Sequence, residues 1–137
     1  MYKAKKYTES LDLFDKALDM YPEYASAFAN KAIALTKLKR FDESLILFNR
    51  AIKLKPNELN YHNNKGITLF ELKKYEESIQ CFDKCIELNP NKVFNYYNKG
   101  NSLFKLNKFE ESILFFDLTL HLKPNHEMAL NNKGKTN

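Results

Sequence analysis

The chain has 137 residues, 44% of them hydrophobic, with 22 Lys+Arg against 17 Asp+Glu and a formal net charge of +5. That is the length of one domain with ample material for a core. No apolar run approaches the roughly 18 residues of a membrane span, and Met1-Tyr2-Lys3-Ala4-Lys5-Lys6 leads into no signal-peptide core.

Punctuation residues divide the chain evenly. Pro22, Pro56, Pro90 and Pro124 stand 34 residues apart, and Gly66, Gly100 and Gly134 keep the same step. Prolines and glycines mark structural boundaries, so one interval for both means that a single unit is being copied. With proline at position 32, complete units run 25–58, 59–92 and 93–126. A partial unit, 1–24, precedes them and another, 127–137, follows.

Residues 1–24 hold the last two-thirds of a unit, with a helix expected over 7–20. Unit 25–58 opens with Phe28, Ala32 and Leu35 at positions 4, 8 and 11, which share one face of a helix. A second helix starts at Phe41 (position 17), where Asp42-Glu43-Ser44 places acids at the partially positive helix end. Unit 59–92 repeats this with His62, Gly66 and Leu69, then Tyr75 and Glu76-Glu77-Ser78. Its second helix is expected to bury Ser78, Ile79, Phe82, Cys85 and Ile86, at positions 20, 21, 24, 27 and 28. It stops at Leu88-Asn89-Pro90, because proline and the residue before it both resist helix continuation. Unit 93–126 has Tyr96, Gly100 and Leu103, then Phe109 and Glu110-Glu111-Ser112, and residues 127–137 begin another first helix with Leu130 and Gly134.

This pattern of a large residue at 4, Gly or Ala at 8, Leu at 11, an aromatic at 24 and Pro at 32 resembles the tetratricopeptide repeat along the whole chain. The resemblance implies an all-α, right-handed solenoid of antiparallel helix pairs. First helices would line its concave face and second helices its convex face. Two departures recur: Ser instead of Ala at position 20, and lysine at position 7 (Lys31, Lys65, Lys99, Lys133). Position 25 is Asp15, Asn49, Asp83 and Asp117, so the lysine stems are expected to cover apolar surface while their amines reach these acids.

Nothing in the sequence suggests an enzyme. His62, His121 and His126 have no serine or cysteine nucleophile paired with them by the repeat geometry, and the carboxylates at helix starts need no catalytic explanation. Gly134-Lys135-Thr136 echoes the end of a phosphate loop, but the residue that should be its first glycine is Ala129 and no strand precedes it. Cys81 and Cys85, four apart without a CxxC pair or clustered histidines, read as small buried thiols of a cytoplasmic or nuclear protein. No metal or cofactor is expected.

The groove is expected to use positions 2, 5, 6, 9, 12 and 13. Position 6 is Asn30, Asn64, Asn98 and Asn132. Asparagine is a mediocre helix former, so its recurrence in mid-helix calls for a reason. Its amide can hold the C=O and N–H of an extended peptide, or it can serve an inter-repeat hydrogen bond copied by duplication. Around this ladder lie Ala29, Ile33, Asn63, Ile67, Phe70, Tyr97, Asn101 and Phe104, an apolar and uncharged lining. Phe70 and Phe104 could instead pack between units.

The carboxylate clamp with which the family grips chaperone tails needs Lys, Asn, Asn, Lys and Arg where this chain has Ala29, Ile33, Asn64, Phe94 and Asn98, so only Asn64 matches. The expected function is therefore a scaffold binding an extended peptide or partner protein. RNA binding is weaker, because lysines interleave with acids and the groove is uncharged. Met1 and Asn137 both fall at position 11, so a piece of a longer array is expected. End-to-end self-association is the alternative reading.

Overall fold

The computed structural model describes residues 2–136. Among them are eight helices and no strand: α1 (Tyr2–Met20), α2 (Ala25–Lys37), α3 (Phe41–Leu54), α4 (Leu59–Glu71), α5 (Tyr75–Leu88), α6 (Val93–Lys105), α7 (Phe109–Leu122) and α8 (Glu127–Thr136). The second helices α3, α5 and α7 start at the position-17 aromatics and stop two residues before each proline.

Residues 1–24 depart from the expected unit. In the complete units a turn at positions 14–16 separates the two helices, but α1 runs unbroken through the corresponding Ala4, Lys5 and Lys6. These are strong helix formers, and the leucine that anchors the turn elsewhere (Leu38, Leu72, Leu106) is missing.

The turns share one geometry. Lys39, Lys73 and Asn107 take φ of 61°, 62° and 61°. The next amide reaches back to the first helix: Arg40 N to Leu35 O, Lys74 N to Leu69 O and Lys108 N to Leu103 O, each 2.8–2.9 Å. With the Lys39, Lys73 and Asn107 amides bonded to the carbonyls of Thr36, Phe70 and Phe104, each turn is a Schellman motif.

Each helix packs on its chain neighbours, and α2, α4, α6 and α8 also touch one another in sequence. The second helices make no such mutual contact among the described residues. Crowding the first helices and spreading the second ones curves the stack, with the first helices inside. This is an all-α solenoid.

The core is a row of aromatic plugs. Phe48, Phe82 and Phe116, all at position 24, are buried, and each stabilises the fold by about 1.5–3 kcal/mol. Two of them lie against a glycine. A Cβ on Gly66 would stand 2.8 Å from Phe82 Cε1, and one on Gly100 2.7 Å from Phe116 Cε1. The small residue at position 8 thus lets the two helices of a unit close on the ring.

Serine at position 20 also has a role. Ser44 Oγ donates to Ala32 O at 2.7 Å and Ser112 Oγ to Gly100 O at 3.0 Å. Thr36 Oγ1 lies 2.6 Å from Ser44 Oγ and 2.8 Å from Thr68 Oγ1, while Ser78 and Ser102 meet at 2.8 Å. These buried hydroxyls join consecutive units, and those of Ser44 and Ser112 add a second-helix donor to first-helix carbonyls.

Candidate functional site

The inner surface is built from α2, α4, α6 and α8, which present the position-6 asparagines at regular intervals. Asn30 is exposed, and Asn64 and Asn98 are half-buried. None of these three amides makes a side-chain hydrogen bond among the described residues; only the backbone carbonyls of Asn64 and Asn98 are engaged, by Thr68 and Ser102. Asn132 differs: its Nδ2 donates to Asn101 Oδ1 at 2.7 Å and to Tyr97 Oη at 3.1 Å. The ladder therefore divides into three unengaged amides and one inter-repeat clasp.

Ile33, Ile67, Phe70, Asn101 and Phe104 accompany the ladder as half-buried or marginally exposed side chains. Phe70 and Phe104 pack edge-on against Tyr75 and Phe109, at 5.2 Å and 5.5 Å between ring centroids. Each is thus braced by the second helix of its own unit, and Phe70 also faces Asn98 and Asn101 of the next unit. Ile67, Phe70, Glu71, Phe82, Asn98 and Asn101 enclose a cleft of about 250 Å3 between α4 and α6.

Position 5 corrects the expected lining. Asn63 is buried, not open to the groove, and its Nδ2 donates to Asn95 Oδ1 of the next unit at 3.1 Å. Ala29 is buried likewise, in a cluster with Tyr61. Tyr97 stays half-buried, its ring tilted against Phe116 and, at 4.9 Å, His126. The reason is that position 5 of one unit faces position 3 of the next. Position 3 (Ala27, Tyr61, Asn95, Ala129) is buried throughout, and excluding only positions 4, 8 and 11 from the groove overlooked it. A signal was there: small Ala29 precedes large Tyr61, Asn63 precedes Asn95, and large Tyr97 precedes small Ala129.

The lysine ladder lies where expected. Lys31, Lys99 and Lys133 reach Asp15, Asp83 and Asp117 of the preceding unit at 2.6, 2.5 and 2.7 Å. His62 packs half-buried in the aromatic position, and its Nε2 donates to Pro56 O at 2.7 Å. Tyr96 Oη makes the same contact with Pro90 O, also 2.7 Å, so in units 59–92 and 93–126 position 4 ties the unit to the turn before it. His126 Nδ1 accepts from the Ala129 amide at 3.1 Å and caps α8.

Both thiols are buried and free. Burial pushes Cys85 up to about 12, while Cys81 is raised by burial against the opposing pull of the Lys65 ammonium. Neither is poised as a nucleophile. Among the described residues no three His, Cys, Asp or Glu side chains cluster as metal ligands. No described helix is long and apolar enough to cross a membrane.

Comparison with known proteins agrees with this geometry. Residues 2–58, 60–92 and 81–113 each match the tetratricopeptide repeat. No curated protein is significantly similar in sequence. Among solved structures, the chain is similar to MamA 41-end from Desulfovibrio magneticus RS-1, at 20% identity over 98% of this chain and 84% of that one, with a TM-score of 0.90. It is similar to the first tetratricopeptide domain of Spaghetti (RPAP3) bound to the HSP90 peptide SRMEEVD, at 24% identity, 82% and 89% coverage and a TM-score of 0.78. YrrB, described as a repeat protein with an unusual peptide-binding site, gives 20% identity, 96% and 68% coverage and a TM-score of 0.83. At these identities the likeness concerns the fold, but the matched repeats extend over most of the chain, and the protein belongs to the tetratricopeptide repeat family.

Proposed function

We propose that the protein is a non-enzymatic scaffold that binds an extended peptide segment of a partner protein along its inner surface, in the cytoplasm or nucleus. The observation that carries this reading is the row of unengaged amides at Asn30, Asn64 and Asn98 beside an apolar cleft. A half-buried amide without a protein partner offers a donor and an acceptor at the spacing of one repeat. An extended backbone can use both without regard to sequence. The RPAP3 domain, bound to an HSP90 peptide, and YrrB, with its unusual peptide-binding site, support the same use of the fold. The ligand class differs from a chaperone tail, because Ala29, Ile33 and Phe94 stand where that clamp needs polar or cationic groups.

The test is selection of displayed random dodecapeptides on the 137-residue chain, followed by comparison with an Asn64→Ala/Asn98→Ala variant. Affinity is expected to fall about tenfold or more, equivalent to about 1.4 kcal/mol, with little change in melting temperature. Peptides that bind both proteins equally would remove the asparagines from the site.

One observation favours a second reading, self-association. Apart from its chain neighbours and the backbone of its own helix, nothing among the described residues lies within 4 Å of a Cβ built on Gly134, whereas the equivalents Gly66 and Gly100 receive Phe82 and Phe116. Leu130 on the same helix is 51% exposed and Leu13 of α1 is 66% exposed. The α1 of a second copy would bring Leu13 and Phe14 onto this face by a heterologous contact. Light scattering across concentration tests it, and a monomer at the highest concentration removes it.

A further inference from the structure

We propose that the cleft between α4 and α6 is a specificity pocket for an apolar side chain flanked by lysine or arginine in the bound segment. This rests on the reading of the inner surface as a peptide groove. The floor is Phe82, which is buried, and the walls are Ile67 and Phe70. Phe70 is fixed edge-on by Tyr75, so that wall is preorganised. An apolar cavity of about 150 Å3 holds a benzene-sized group, so a cleft of about 250 Å3 takes one leucine- or phenylalanine-sized side chain. Asn98 supplies the amide beside it.

Glu71 sets the charge. It is the one acid at positions 2, 5, 6, 9, 12 and 13 of any unit, and it makes no ion pair among the described residues. Its equivalents in the neighbouring units are Lys37 and Lys105, which sit favourably in the last turn of α2 and α6. Glu71 instead ends α4 and places a carboxylate at the partially negative end of that helix. The helix end opposes it, and no described cation pairs with it. A residue that breaks a local rule without compensation in its own fold is a candidate for a role outside it. A partner cation above the cleft would meet both the carboxylate and the negative end of α4.

Two pools of acetylated, amidated nonapeptides test the proposal, both with central leucine and mixed flanks, one carrying lysine beside the leucine and the other glutamate. The immobilised wild-type chain is expected to retain the lysine pool about tenfold over the glutamate pool. Glu71→Gln levels the two and Glu71→Lys inverts them, with no loss of melting temperature. If the wild type retains both pools equally and Glu71→Lys changes neither, the pocket is overturned and the groove is not. If neither pool is retained above an Asn64→Ala/Asn98→Ala control, both readings fall.

Discussion

Lys99 of α6 holds Asp83 of α5 at 2.5 Å while its ammonium stands 4.3 Å from the centroid of the Phe115 ring on α7. One side chain therefore joins three consecutive helices across a unit boundary. The same register, sixteen residues apart, recurs in the Lys31 and Lys133 pairs. It lapses at Lys65, whose counterpart is the exposed Asn49.

Asn49→Asp should restore the missing pair. The neighbouring pairs leave about half of each aspartate side chain in solvent, so the gain is expected to be small, at most about 1 kcal/mol. Urea unfolding at low ionic strength and again near 1 M NaCl, where screening is almost complete, checks it. A gain that survives high salt would show that charge pairing is not its cause.

Most of the scaffold was legible because the repeat turns one chain into its own alignment. The proline and aromatic positions gave the ends of α3, α5 and α7, and position 7 with position 25 gave the lysine–aspartate pairs. Two features were harder to read. The burial of Asn63 depends on a contact between position 5 and position 3 of the next unit, where no single residue type recurs and only the complementary sizes of the partners carry the information. The turns hide theirs too, because Lys39 and Lys73 occupy a conformation that normally advertises itself through glycine. On the inner surface the asparagine ladder was plain in the sequence. The division between the clasped Asn132 and the unengaged Asn64 and Asn98 was not, since it is set by the neighbours at positions 5 and 9.

Gly100 and Gly134 should respond in opposite directions to alanine. At Gly100 the new methyl meets Phe116, which is buried and backed by Tyr97. Moving that ring is expected to cost about 1–3 kcal/mol, outweighing the helix propensity gained. At Gly134 the space is open, and the propensity gain of up to about 1 kcal/mol stands alone, less what is lost to fraying. Ala32 already fills this position beside Phe48, so Gly100→Ala should fold with a lowered midpoint rather than fail to fold. Chemical denaturation of the two variants side by side decides it; equal shifts would mean that the phenyl contact carries no weight.

Lys73→Gly should stabilise the protein. Lys73 adopts φ 62° in the Schellman turn after α4, a conformation that costs L-residues about 1–2 kcal/mol and glycine almost nothing. Glycine also gains freedom in the unfolded chain, so the net increase is expected to be about 0.5–1 kcal/mol. Asn107→Gly should gain less, because asparagine tolerates the left-handed region better than lysine. Thermal melts of the two variants give the ranking, and a larger gain at Asn107 would contradict it.

Cys85 should make stability fall on the alkaline side. Its thiol has an ordinary value of 9.0, and burial between α5 and the Leu59 carbonyl pushes it up to about 12 in the folded chain. Between those values the folded state keeps a proton that the unfolded state has released. The stabilisation is therefore complete below pH 9 and is lost as pH rises through 9 towards 12. For one such group the slope approaches about 1.4 kcal/mol per pH unit. The equivalent position in unit 25–58 is the buried Ala51, so Cys85→Ala should fold in the same way and lack this slope. Titrating lysines and tyrosines contribute alike to both proteins, and the informative quantity is the difference between them. Urea midpoints at pH 8 and pH 10 should show the wild type losing ground to Cys85→Ala as pH rises; a constant difference would mean that the buried thiol is not linked to folding.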